Sequence, residues 1–227
     1  MNKTGCLFVL LSATLPLHAQ NVKDQDLVDA YLAEAKDHAE LYYSPIENIQ
    51  SSAFWINHPY WQTDDLSAGE ICYNGMLYKN QVMRINIATQ NLVVATPKAK
   101  ILVVPDITKI DYFILFAKRF EYIDGKIQCI EWSNGQIRLL HEKTKKKGSD
   151  VVKDGRSYYS YDESNKFTLV DGKSSYKVKK ANDIIKIYPQ YKKQIKKALA
   201  QERQNEMSKK DRLQKMIVVL NTVSTLK

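Results

Sequence analysis

Between residues 69 and 179 the chain alternates short β-forming runs with tight-turn chemistry, and no other feature restricts its fold as strongly. Asp124-Gly125, Asn134-Gly135 and Asp171-Gly172 each separate two apolar-rich runs. Such dipeptides favour two-residue hairpins because the turn needs positive φ. The runs on either side are residues 120–123, 127–132, 137–141, 167–170 and 175–178. Upstream, residues 71–73 and 77–78 lead through Lys79-Asn80 into 82–87, and Thr89-Gln90-Asn91 turns into 92–94. Runs at 101–104, 112–116 and 158–161 follow the same pattern, the last turning at Glu163, Ser164 and Asn165. No helical crossover interrupts the series, so the strands must pair antiparallel. The expectation is an antiparallel β-meander, rolled into a barrel or half-barrel. Residues 143–154, polar and without periodicity, read as a long, mobile hairpin loop.

Helical patterns flank this body and make the fold class α+β. Residues 24–42 place Leu27, Val28, Tyr31, Leu32, Ala35 and Ala39 on one stripe behind an Asp24 or Asp26 cap. Ser44-Pro45 ends that helix, because a residue before proline avoids helical geometry. Residues 46–68 are an irregular, aromatic-rich connection in which Trp55, Tyr60 and Trp61 are candidates to stack on sugar rings or seat a partner. Folding back to plug one end of the sheet is the plainer reading. At the other end, Asn182 can cap a short helix and Pro189 can open a second with Ile195 and Leu199 inward. Ser208 with Asp211 begins a third helix, with Leu213, Met216, Ile217 and Leu220 on its apolar face.

The first 19 residues read as a secretory leader: Lys3, an apolar run over 6–17, then Leu17-His18-Ala19 as a cleavage point before Gln20. No later stretch approaches the roughly 18 apolar residues a membrane helix needs, so no transmembrane segment is expected once the leader is removed. The domain plan is therefore 1–19 leader, 20–68 helix and aromatic connection, 69–180 antiparallel β domain, and 181–227 basic helices. Export to the periplasm or cell envelope, or outright secretion, follows.

Formal net charge is +9, and losing Lys3 with the leader lowers it by one. A surplus of this kind ordinarily suggests nucleic acid. Export argues against that and favours an envelope protein or an anionic lipid or glycan surface. Lys192, Lys193, Lys196 and Lys197 gather charge on one side of the second C-terminal helix and are the best candidate contacts. Cys72 and Cys129 lie in strand-like runs and are candidates for a disulfide in an oxidising compartment, or for lone buried thiols. Without a nearby histidine they make no zinc site, and no cofactor is implied.

Four stretches stand out: G-E-I-C-Y-N-G-M-L-Y-K-N from Gly69, the basic run after Leu139-Leu140, F-T-L-V-D-G-K-S-S-Y-K-V from Phe167, and I-I-K-I-Y-P-Q-Y-K-K-Q-I-K-K. Taken together they resemble a family of exported β-rich proteins of diderm bacteria with a basic helical C-terminus. The resemblance implies export, a β-meander and a basic tail, and brings no catalytic residues with it.

Reactive constellations are sparse. There is no nucleophile elbow, zinc-protease helix, phosphate loop or calcium-loop spacing. His38 falls on the polar side of the first helix. His141 and Glu142 are strand neighbours pointing to opposite faces. His58 lies near Asp64, Asp65 and Glu70 in sequence, the closest approach to an acid–base cluster. Glu121 and Glu131 can be drawn facing one another across the Asp124-Gly125 hairpin, a carboxylate pair of the glycosidase kind. The expected function is a non-catalytic exported envelope protein that binds through its basic helices. The alternatives are a periplasmic lipid or lipoprotein carrier with an open half-barrel, and a glycan-directed hydrolase using the His58–Glu70 region.

Overall fold

The computed structural model describes residues 25–48, 55–204 and 212–226. The leader, its cleavage point, the Asp24 cap and the Ser208 and Asp211 helix start lie outside them. Strands β1 (Ser67–Tyr73), β2 (Met76–Asn86), β3 (Asn91–Ala95), β4 (Leu102–Val103), β5 (Ile110–Leu115) and β6 (Lys118–Ile123) are followed by β7 (Lys126–Ser133) and β8 (Ile137–Lys147). Then come β9 (Val151–Lys153), β10 (Arg156–Tyr158), β11 (Tyr161–Asp171) and β12 (Ser174–Val178). Ten of these form one antiparallel sheet in the order β12-β11-β8-β7-β6-β5-β1-β2-β3-β4, while β9 and β10 make a separate hairpin. The fold class is α+β, as the turn pattern predicts.

Turn chemistry explains the order. Asn74-Gly75, Asp124-Gly125 and Asp154-Gly155 hold both residues at positive φ, the geometry that matches a two-residue link to strand twist. Phe116-Ala117, between β5 and β6, does the same without glycine, at φ 55 and 57. Asn80, expected to turn, instead sits at φ 55 inside the continuous β2, where the β1 register slips between Gly69 and Ile71. It is a bulge.

One inward-facing row crosses eight strands and defines the core. It runs Tyr78, Ile71, Phe113, Phe120, Cys129, His141, Phe167, Val178, one residue per strand from β2 to β12. Because strand side chains alternate, this row fixes which residues face inward throughout the sheet. Phe113 and Phe120 stack 5.0 Å apart at its centre. The row's polar member is His141.

The sheet rolls but does not close. At one end Gln90, on the β2–β3 turn, donates to the Lys143 carbonyl at 3.2 Å and accepts the Ile127 N–H at 3.0 Å. Lys145 N–H reaches the Ile87 carbonyl at 3.2 Å. Side chains thus span the gap while β4 and β12 remain edges. The open form is the half-barrel alternative; the closed barrel is not formed.

Helices cover the inward face from both chain ends. Helix α1 (Gln25–Ala35) and two 3₁₀ turns bring Leu41 and Tyr42 against the β1–β7 half of the core. The expected helix to residue 42 stops early because Lys36 turns to φ 50, and Asp37 then accepts the Lys98 and Ala99 N–H groups at 2.8 and 3.1 Å. Helices α2 (Ala181–Ile187), α3 (Lys192–Gln204) and α4 (Arg212–Leu226) cover Ile137, Leu139, Leu169 and Val178. Asp183 anchors the start of α2 by accepting the Lys179 and Lys180 N–H groups. Trp132 Nε1–H donates to Asn221 at 2.7 Å, tying α4 to β7.

Two expectations about loops fail for one reason. Residues 143–147 continue β8, and Glu163 to Asn165 lie inside β11, paired with it residue for residue. Their inward polar groups have partners across the ladder or on the 58–60 segment, so polarity there does not mean a loop even where, as at Glu163 and Asn165, the residue stays exposed. Lys143 reaches Glu163 at 3.2 Å, and Lys145 donates to the His58 and Tyr60 carbonyls at 2.7 and 3.1 Å. The true turn in the basic stretch is Asp154-Gly155.

Candidate functional site

Helix α3 places Ile195 and Leu199, four residues apart, against α2 and α4, so its lysines must point out. Lys192 with Lys196 and Lys193 with Lys197 form two adjacent exposed rows. Lys192 and Lys196 converge with Lys186 of α2 around an open hollow of about 460 Å³, walled by Ile185 and Pro189. Among the described residues none of these five lysines has an acidic group within ion-pair distance. Like charges at four-residue spacing oppose the helix by about 0.2–0.5 kcal/mol per pair. Lys192 and Lys193 also stand in the first turn, where no acidic residue offsets the positive end of the helix dipole. An anion docked there would relieve both costs. Lys186 was not evident from sequence, because the α2–α3 angle that brings it to Lys192 is set by the Pro189–Tyr191 3₁₀ turn.

The inward row carries a second polar cluster, shielded at His141 and Glu131 and open to solvent at Asn165. His141 Nδ1 lies 2.8 Å from Glu131 Oε1, and Nε2 lies 2.7 Å from Asn165 Oδ1. The Asn165 amide nitrogen donates to Glu163 at 3.0 Å, which orients its oxygen toward the ring. Both ring nitrogens therefore face side-chain oxygens. Phe167 stacks on the ring at 4.3 Å and Trp61 meets it edge-on at 5.3 Å. Lys118 closes the set at 2.6 Å from Glu131, whose side chain is only 4% exposed. Burial raises the Glu131 pKa, but the hydrogen bonds from His141 and Lys118 outweigh it and hold the carboxyl below its ordinary range. Closed in by two aromatic rings, the cluster reads as an internal strut. Sequence spacing missed it because Glu131 reaches His141 through a bulge, the β7–β8 register slipping between Ile130 and Trp132.

The remaining sequence candidates separate. Glu121 and Glu131 lie on opposite faces of the sheet: Glu121 pairs with Gln128 and takes Arg119 and Arg138 at 2.9 and 2.6 Å. Cys72 and Cys129 are both free thiols. Cys129 stands in the inward row while Cys72 follows the inward Ile71 and points outward, with β5 and β6 between their strands. No bridge can span that separation. Cys72 instead donates to Asp111 at 3.3 Å, and burial, with that carboxylate, lifts its pKa to about 11.

His58 makes no ion pair with Asp64, Asp65 or Glu70 among the described residues. Its Nδ1 accepts the Tyr60 N–H at 3.2 Å, and burial, aided by nearby Lys145, lowers its pKa. His141 and Glu142 do face opposite ways, Glu142 pairing with Lys166 at 3.2 Å. Among the aromatic candidates, Tyr60 and Trp61 are buried at the end of the sheet, and Trp61 meets Phe120 edge-on at 5.2 Å. Trp55 is half-buried and borders a cleft. Among the described residues no group of three or more histidine, cysteine or acidic side chains could hold a metal, and no helix is long and apolar enough to cross a membrane. Comparison with protein-family models, curated proteins and solved structures finds no match.

Proposed function

We propose that this chain is an exported, non-catalytic envelope protein that docks on an anionic partner surface through α2 and α3. The observation that carries the reading is the convergence of Lys186, Lys192 and Lys196 on one hollow, with Lys193 and Lys197 beside it and, among the described residues, no carboxylate within ion-pair distance of any of the five. Each lysine near an anionic leaflet contributes about 1 kcal/mol, so five reach useful affinity only together. The leader-like start and the resemblance to exported β-rich proteins support the compartment. The carrier alternative draws less support, because the concave face is filled by Tyr78, Ile71, Phe113 and Phe120, all essentially inaccessible to solvent. The hydrolase alternative lacks a His58–carboxylate pair.

Sedimentation with phosphatidylglycerol vesicles, compared with phosphatidylcholine vesicles across a salt series, tests the reading. Binding to the anionic vesicles is expected to fall steeply as salt rises. The Lys192→Gln, Lys193→Gln, Lys196→Gln and Lys197→Gln quadruple variant is expected to stay in the supernatant. Equal pelleting of variant and parent would falsify the assignment.

A further inference from the structure

We propose that the cleft between residues 55–61 and the ends of β2, β8 and β11 is a second binding site, for an oligosaccharide bearing carboxylate or sulfate groups. The cleft encloses about 530 Å³, within the ~300–1,000 Å³ ordinary for small-molecule sites. Its wall is anchored: Ile56 N–H donates to the Tyr159 carbonyl at 2.9 Å, and the Asn57 amide exchanges hydrogen bonds with the Tyr161 backbone at 2.8 and 2.7 Å. A pocket held this way is formed before any ligand arrives.

Three of its groups are unfinished. Lys145 is 8% exposed and donates only to two backbone carbonyls, with no carboxylate within 4 Å among the described residues. Glu163, opposite it in the β8–β11 register, attracts it from beyond ion-pair distance but is held by Lys143 at 3.2 Å, so an anion in the cleft would add the direct counter-charge that this buried ammonium lacks. Trp55 Nε1 is buried without a hydrogen-bond partner among the described residues. The Asn86 oxygen is occupied by the Ala88 and Thr89 N–H groups, which leaves its amide nitrogen as an open donor. Exposed Lys146 adds positive charge, and the one lining carboxylate, Glu47, is already taken by Arg84 at 2.7 Å.

The donors fit hydroxyl and acid oxygens, and the Trp55 and Tyr161 rings fit the flat faces of pyranoses. A bare phosphate would leave those rings uncovered. This site shares no residue with the helical lysines, so the two assignments fail separately.

Isothermal titration of the full chain decides it, with a heparin-derived sulfated tetrasaccharide, a tetramer of galacturonate, neutral cellotetraose and tripolyphosphate as probes. One acidic sugar per chain is expected, with cellotetraose and tripolyphosphate at least ~10-fold weaker, since each lacks one of the two recognition elements. Trp55→Ala and Lys146→Gln are each expected to weaken acidic-sugar binding by ~10-fold, with an unchanged far-ultraviolet circular dichroism spectrum. Lys146 is exposed, so its variant reads the site without touching the core. The Lys186→Gln, Lys192→Gln, Lys196→Gln triple variant is expected to retain the affinity. Tripolyphosphate binding as tightly as the sugars, no binding of either acidic sugar, or an unchanged affinity in Lys146→Gln overturns the proposal.

Discussion

Replacing Glu131 by Gln isolates the charged cluster around His141 inside the rolled sheet. The substitution keeps shape and leaves one carbonyl acceptor for two donors, Lys118 at 2.6 Å and His141 at 2.8 Å. Removing one partner of a buried ion pair costs about 3–5 kcal/mol when the other charge is trapped. Here Lys118 is a third exposed and can turn to water, so the expected cost at pH 7 is about 2–3 kcal/mol. The pH dependence follows from sign. Glu131 has a folded pKa below its ordinary value, so its contribution is complete above the unfolded value near 4.5 and is lost as pH falls through the folded one. The gap between parent and variant should therefore be widest near neutrality and close in acid. Urea unfolding read by tryptophan fluorescence, from about pH 7 to pH 3, measures it. Trp61, against His141, reports the site directly. A cost under about 0.5 kcal/mol at pH 7, or a gap that does not narrow below about pH 4.5, refutes the strut.

Two further outcomes follow from the backbone and the thiols. Ala117→Gly, at φ 57, should stabilise the protein by about 1 kcal/mol in urea, because glycine carries no Cβ penalty in left-handed geometry; no gain would mean that the turn relaxes otherwise. Cys72 and Cys129 should alkylate only in denaturant and then without reductant, as read by peptide mass mapping; a disulfide-linked peptide pair in the native protein would overturn the assigned strand faces.

What the sequence made legible was whatever depends on neighbours in the chain. Asp124-Gly125 and Asp171-Gly172 marked hairpins because positive φ is a local demand. Phe116-Ala117 makes the same turn with no local sign, and only the pairing of Leu115 with Lys118 enforces it. Lys143, Lys145, Glu163 and Asn165 were misread because their partners lie on another strand or in the 58–60 segment. A polar residue whose partner is remote in sequence looks like a loop residue. Cys72 and Cys129 were read onto the right strands with a bridge and lone buried thiols both open; deciding for the thiols needs the face each occupies, which depends on registers summed over three pairings.

The surplus positive charge makes the same point about function. On the strands much of it is met by a carboxylate: Lys118 meets Glu131, Lys143 meets Glu163, Lys166 meets Glu142, and Arg138 meets Glu121. These cations belong to the sheet's own cohesion and are not available to a partner. On α2 and α3, Lys186, Lys192, Lys193, Lys196 and Lys197 are exposed and have no carboxylate within ion-pair distance among the described residues, and on α3 they stack at spacings that weaken the helix carrying them. Composition cannot separate those two populations, since both count equally toward the net charge. The fold separates them, by giving Lys118, Lys143 and Lys166 a carboxylate on the sheet while the α2 and α3 lysines have none within ion-pair distance among the described residues. A charge arrangement that costs helix stability and sits around a hollow is better explained by what it meets than by what it holds together.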